Sequence, residues 1–307
     1  MNESTKGVKT GGGEQLDQPT APLPARGMRR LMIALTAPGV IWYLVLLAAP
    51  MVILVTYSLG RRAPNGGYEA AFTLDQFAAL PTRWAPFINT VQLGLAGTML
   101  CLLVAYPMAY FMATRGGRHK TLLLALVVIP FWTSFLIRTY AWVFLLGNRG
   151  IPAVLDTLGF ENVRLLNTSF AVLLGIVYNY LPLMVLPIYV SLERVDPSLR
   201  HASKDLGAGP WRTFLQVTLP LSAPGVVSGA LLVFVPVLGE YLIPVLLGGG
   251  QTYFLGNTLA DLFFQSRNWP FGAAVAVAFI MLIMALIAAY MRFTRRVVAQ
   301  GREAPLI

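Results

Sequence analysis

The chain is poor in the side chains from which most catalytic and metal centres are built. It has one cysteine, Cys101, and two histidines, His119 and His201. One cysteine excludes a disulfide within the chain and any cysteine metal cluster. Cys101 sits inside an apolar run and reads as a small packing residue. Two histidines, both outside the apolar runs, are too few for a histidine metal site. No GxxxxGK[ST] phosphate loop occurs, so by that route the chain cannot hydrolyse ATP alone. No HExxH, CxxC or GxSxG occurs either, and no His, Asp or Ser constellation suggests a membrane enzyme. No catalytic residue, metal or bound cofactor is expected. Charge is scarce as well, at 12% of residues.

What fills the chain instead is apolar. Of the 307 residues, 56% are hydrophobic, and the mean hydropathy is +0.66. A soluble domain of this length could not cover so much apolar surface, so the class is all-α integral membrane. Six apolar runs, 31–59, 87–113, 121–146, 170–192, 222–247 and 271–293, each reach the roughly 20 residues that span a bilayer. Prolines interrupt several of them, among them Pro50, Pro107, Pro130 and Pro236. Membrane helices tolerate such kinks where neighbours satisfy the freed carbonyls. Residues 1–29 are rich in Gly, Thr, Pro and Gln and read as a disordered tail. The late, long apolar run that follows does not fit a signal peptide. The expected divisions are a tail over 1–29, a first span and outer loop over 30–86, five further spans over 87–293, and a second tail over 294–307.

The basic residues set the expected orientation. Sixteen lie in the N-terminal tail, the 114–120 connection, the 193–221 loop and the C-terminal end, against six in the other connections. The basic side faces the cytoplasm, which places both termini there. The net charge of +10 is largely this bias and not a nucleic-acid surface. The outer connections near 60–86, 147–169 and 248–270 are longer than minimal turns. They read either as docking points for an external protein or as ordinary interfacial caps.

The most informative stretch is residues 201–220, HASKDLGAGPWRTFLQVTLP. It is polar and amphipathic, lies between two apolar runs and belongs to a connection, 193–221, of some thirty residues. Asp196-Pro197-Ser198 supplies an N-cap and a proline in the first helical turn. Gly207 and Gly209-Pro210 stop the helix. Such a loop is built to touch something soluble.

The spacing in this loop resembles that of membrane subunits of ATP-binding-cassette importers. Their pattern is Glu-Ala-Ala, three residues, Gly, nine residues, an aliphatic, one residue, Leu-Pro. Here it falls on His201, Ala202, Ser203, Gly207, Val217, Leu219 and Pro220, with Asp205 inside it. The leading Glu is replaced by His201 and the second Ala by Ser203. The resemblance implies a type I importer permease fold in the bacterial inner membrane, with the loop seated in a cleft of a soluble ATPase. It further implies two ATPase subunits that bind the ATP and Mg, a second similar permease and an external solute-binding protein. On that reading Ala202 permits close approach, and Gly207 lets the backbone turn against the partner.

The segments IPFWTSFLIRTYAW (129–142), LGEYLIP (238–244), LLGG (246–249) and RNWPFG (267–272) narrow the resemblance to spermidine/putrescine permeases. Relatives that move opines, phosphonates or amino-acid derivatives share much of this pattern. Glu240 is the only acidic side chain well inside an apolar run, and a buried carboxylate in a membrane is a functional candidate by default. On a continuous helix Gly225, Gly229, Pro236 and Glu240 fall within roughly 60° of arc. Glu240 then either lines a path for a cation, pairs with a buried cation such as Arg138, or sits at a wet interface. On the same assumption Trp132, Phe135, Thr139 and Trp142 share about 80° of arc. They form either an aromatic face for an ammonium group or ordinary core. Tyr241 joins these candidates, while Tyr178 and Tyr180 are weaker. Arg138 is expected to be structural and to snorkel outward. A secondary transporter or channel remains the rival from another class, but it would not need the ATPase-type loop spacing.

Overall fold

The computed structural model describes residues 25–302 apart from 161 and 251. The chain falls into two units, residues 1–53 and 54–307. The first, where described, is most of α1 (Ala25–Ser58). This helix carries Pro38 and Pro50, is apolar on every side, and is long enough to cross a bilayer. Residues 1–24 of the expected tail lie outside the described residues, and the helix begins four residues before the expected boundary at 29.

The second unit opens with a two-residue hairpin, β1 (Arg61–Arg62) and β2 (Tyr68–Glu69), with Arg61 opposite Glu69. Gly66 and Gly67 turn it with positive φ. Tyr57 stacks on Tyr68 at 4.5 Å and on Trp269 at 6.2 Å, which ties the hairpin to the foot of the last helix. Helices α2 (Asp75–Ala78) and α3 (Ala85–Arg115) follow. The next apolar run is then divided between α4 (Lys120–Val128) and α5 (Phe135–Leu146). After α6 (Ile151–Thr157), α7 (Ser169–Glu193) crosses as one helix despite Pro182 and Pro187.

The loop helix α8 (Pro197–Asp205) comes next. A helical turn α9 (Pro210–Thr213) and a π-helical turn at Phe214–Thr218 lead without a gap into α10 (Leu219–Leu238). The segment before Leu219-Pro220 is thus the first two turns of a span over Pro210–Leu238. Then come α11 (Leu242–Gly248), α12 (Leu255–Ala260) and α13 (Trp269–Arg302). Helix α13 continues through 294–302, where a tail was expected; residues 303–307 lie outside the described residues.

Helices α3, α7 and α10 form the centre. Cys101, Ala105 and Ala109 of α3, Ile176, Met184 and Ile188 of α7, and Val233 and Val237 of α10 are buried together. Small residues let these helices approach. A Cβ on Gly225 would stand 2.5 Å from the Pro187 carbonyl oxygen, and one on Gly229 2.9 Å from Met184 Sδ. A hydroxyl pair, Tyr106 to Ser222 at 2.8 Å, joins α3 to α10 inside this core. A second cluster, with Leu255, Leu262, Phe271 and Phe279, packs α12 and α13 around Leu238.

Two expected spans are broken. Between α4 and α5, Pro130 lies in a 3-10 turn and Thr133 is extended; the segments on either side diverge by 93°. The fifth run stops at Leu238 and restarts at Leu242. Among the described residues, five helices are long and apolar enough to cross a membrane, or six if the bent pair is one span. The all-α membrane architecture stands.

Candidate functional site

The loop helix is built from its caps. The Asp196 carboxylate accepts the Ser198 backbone N–H at 2.8 Å, with Pro197 at the first helical position. That hydrogen bond holds the Asp196 carboxyl below its ordinary range. At the other end the Gly207 N–H reaches the Lys204 carbonyl at 2.8 Å and the Ala208 N–H reaches Ser203 at 3.1 Å. Gly207 has φ +82°, the left-handed conformation that lacks a Cβ penalty only for glycine. The Ser203 and Thr213 hydroxyls lie 3.1 Å apart and join α8 to the foot of the fifth span.

Of the loop residues singled out from sequence, His201, Ala202, Asp205, Gly207 and Pro220 are exposed, while Ser203 and Leu219 are half-buried. Around them Leu206 is 89% exposed and Trp211 77%. Two large apolar side chains thus stand exposed close to the glycine of the helix stop. Nothing lies within 4 Å of a Cβ built on Gly207.

The path candidates do not share one face. The break at 133–134 separates Trp132 from the other three aromatic and hydroxyl positions, so their common arc, drawn on a continuous helix, does not exist. Trp132 is 83% exposed. Thr139 is buried and donates its hydroxyl to the Phe135 carbonyl at 2.9 Å. Trp142 meets Tyr178 edge-on at 5.4 Å. Arg138 does not snorkel outward. It is buried, with its guanidinium 5.3 Å from the Phe131 ring and 5.9 Å from Phe135. It lines an otherwise apolar cavity of about 340 Å³, and its Nε has no hydrogen-bond partner.

Glu240 lies in the break of the fifth span and not on a helix face with Gly225 and Gly229. Its Oε1 accepts the backbone N–H groups of Tyr241, Leu242 and Ile243 at 3.1, 2.9 and 3.2 Å. Its Oε2 accepts the Tyr180 hydroxyl at 2.5 Å. The carboxylate thus caps the start of α11, whose first N–H groups have no helical partner. The pairing with Arg138 weighed from sequence is not formed; the partner is Tyr180. Tyr180 carried little weight because it and Tyr178 fall on different faces of the fourth span; the contact with Glu240 is what singles it out. The one sequence signal for the break is the Gly239-Glu240 step after Pro236. Tyr241 is 40% exposed and lines a separate cavity at the far end of that span.

Residues 105–299 match the family described as "Binding-protein-dependent transport system inner membrane component". The chain is 37% identical over 256 residues to the spermidine/putrescine transport system permease protein PotB of Haemophilus influenzae, covering 82% of this chain and 90% of that protein. It is 33% identical over 263 residues to the protein of that name in Escherichia coli strain K12, covering 83% and 94%. In fold it is similar to a bacterial ABC transporter involved in the import of the acidic polysaccharide alginate. There the TM-score is 0.67 at 18% identity, over 88% of this chain and 98% of that one.

Proposed function

Since this chain belongs to the family of binding-protein-dependent transport system inner membrane components, we propose that the solute it moves is a polyamine of the spermidine/putrescine kind. As a member of that family it is a multi-pass inner-membrane permease subunit of an ATP-binding-cassette importer, and it is not an enzyme. The observation that carries the polyamine reading is the similarity to relatives named for spermidine and putrescine over nine tenths of their length.

The engine is assigned to other chains. Two ATPase subunits bind ATP and Mg, a second similar permease completes the path, and an external solute-binding protein delivers the cation. The capped helix α8 supports the coupling role. It is a short rigid rod beside a span, with Leu206, Trp211 and an open Gly207 turned outward. The Ser203–Thr213 contact would pass a push on α8 to the base of α10. ATP-driven closure then alternates access, with the 193–221 loop and both termini in the cytoplasm as the basic-residue bias requires. Along the path, Glu240 holds the break in the fifth span and Tyr241 stands beside it. Phe135 and Trp142 stand on the bent third segment, where Thr139 is buried, and Trp132 faces outward for the second permease or lipid.

The test is uptake of labelled spermidine and putrescine by cells that lack their own polyamine import and express the complete transporter. Energy-dependent accumulation of either is expected. Accumulation of neither would overturn the polyamine reading. An ATPase subunit should also co-purify with the chain, and its absence would remove the importer assembly.

A further inference from the structure

The segment between the fifth and sixth long helices folds over the break at Glu240 and encloses a cavity of about 200 Å³. Three ties hold it there. The Leu255 N–H donates to Thr90 Oγ1 at 2.8 Å. Asn89 Nδ2 donates to the Tyr253 carbonyl at 3.1 Å. A Cβ on Gly256 would come within 3.0 Å of the Glu240 carbonyl and 3.1 Å of Tyr241 Cβ, so α12 lies directly on the break. The cavity is therefore a built feature, at the opposite end of α10 from the α8 loop.

Its lining has a particular chemistry. Asn257 and Asp261 are four residues apart on consecutive helical turns and so share a face. Asn257 Oδ1 is shut off from solvent and accepts no hydrogen bond, although buried polar atoms ordinarily find a partner. Asp261 is half-buried, and among the described residues its carboxylate has neither an ion pair nor a hydrogen-bond donor. Tyr241 and Tyr253 supply aromatic rings, and no basic side chain lines the space. An anionic acceptor without a protein partner, in a space lined by two rings, matches a charged N–H donor with an aliphatic stem. A hard divalent cation such as Ca2+ or Mg2+ fits poorly, since it takes six or more oxygen ligands and has no use for rings. Among the described residues no group of three or more His, Cys, Asp or Glu side chains comes together.

We propose that this cavity receives one alkylammonium end of the transported cation, held by the Asp261 carboxylate in the space that Tyr241 and Tyr253 also line. This rests on the polyamine reading and adds to it a site that the helical arcs do not contain. The cavity takes one amine terminus and leaves the rest of a linear polyamine outside it.

The experiment measures spermidine uptake per assembled complex in cells without their own polyamine import. At sub-saturating spermidine, Asp261→Asn is expected to lower uptake about tenfold, the scale of one lost charge-assisted contact. Complex yield should stay normal, and Asp261→Glu should restore most of the uptake. Tyr253→Phe keeps the ring face and should be neutral, whereas Tyr253→Leu should lose about threefold, the lower end of a cation–π contact. If Asp261→Asn assembles poorly, the exposed Tyr253 pair decides. Wild-type uptake with unchanged rates in Asp261→Asn and Tyr253→Leu sinks the site alone. No polyamine uptake by the wild type sinks the substrate reading and the site with it.

Discussion

Removing the Glu240 side chain separates a helix cap from a cation contact. In the structure both carboxylate oxygens are occupied by the protein itself: three backbone N–H groups on Oε1 and the Tyr180 hydroxyl on Oε2. Glu240→Ala strands the N–H groups at the start of α11, a loss of about 0.5–2 kcal/mol for an N-cap. It also leaves the part-buried Tyr180 hydroxyl without its acceptor, a further cost of about 1–3 kcal/mol. The two are coupled through one side chain, so the expected total is about 2–4 kcal/mol. Glu240→Gln keeps an oxygen for the backbone, and its amide can donate to the Tyr180 oxygen. Only the charge-to-helix term is lost, about 0.3–1 kcal/mol. Tyr180→Phe falls between them at about 1 kcal/mol.

The assay is the thermal midpoint of the purified complex alongside spermidine uptake per complex. Stability should fall in the order Glu240→Gln, Tyr180→Phe, Glu240→Ala, with uptake per folded complex nearly normal in Glu240→Gln. A carboxylate that instead grips the cation gives another pattern. Glu240→Gln then has a wild-type midpoint with uptake reduced about tenfold, the worth of a desolvated charge contact. That pattern, or a Glu240→Ala variant as stable as wild type, refutes the capping argument.

Four further outcomes are expected. Gly207→Trp places bulk on the open face of the α8 cap and forces a side chain into a φ of +82°; the complex should assemble while substrate-stimulated ATP hydrolysis and uptake fall to background, and normal uptake would remove the coupling role. His201→Glu, at an exposed position of α8, should leave uptake unchanged, and a loss of more than about threefold, near 0.7 kcal/mol, would mean that His201 contacts the ATPase. A reporter active only outside the cytoplasm should be silent after Lys120 and Arg302 and active after Arg164; activity after Lys120 reverses the orientation. For Asp196 the folded carboxyl is depressed by the Ser198 N–H. Its capping contribution is therefore present above the unfolded carboxylate value and lost only as pH falls through the depressed one. Asp196→Ala should weaken coupling equally across neutral pH, and a cap loss that appears only above neutrality would contradict that sign.

How much of this could be read beforehand depends on whether the deciding term is local. The α8 loop was legible because its determinants sit within a dozen residues: Asp196-Pro197 to start it, Gly207 to stop it, and a polar face throughout. The long helices were legible because a bilayer demands unbroken apolar length. The breaks were not. Pro130 and Pro236 are accompanied by prolines at 107, 182 and 187 that leave α3 and α7 continuous, so proline alone does not mark where a span bends. At 133–134 and 239–241 the chain leaves the helix where neighbouring groups satisfy the freed backbone. At the second break the satisfying group is Glu240, which caps its own successor helix. A carboxylate that looked anomalous in an apolar run is therefore the reason the run can be interrupted there. The arc that grouped it with Gly225 and Gly229 failed for the same reason, since a cap begins a new axis. Once the axis changes, Tyr241 leaves the α10 face and turns toward Asn257 and Asp261, residues in a connection whose hydropathy carried no membrane signal. The side chains proposed to hold a cation thus collect beside the discontinuity, with Tyr241 at the break and Asp261 lining the same cavity.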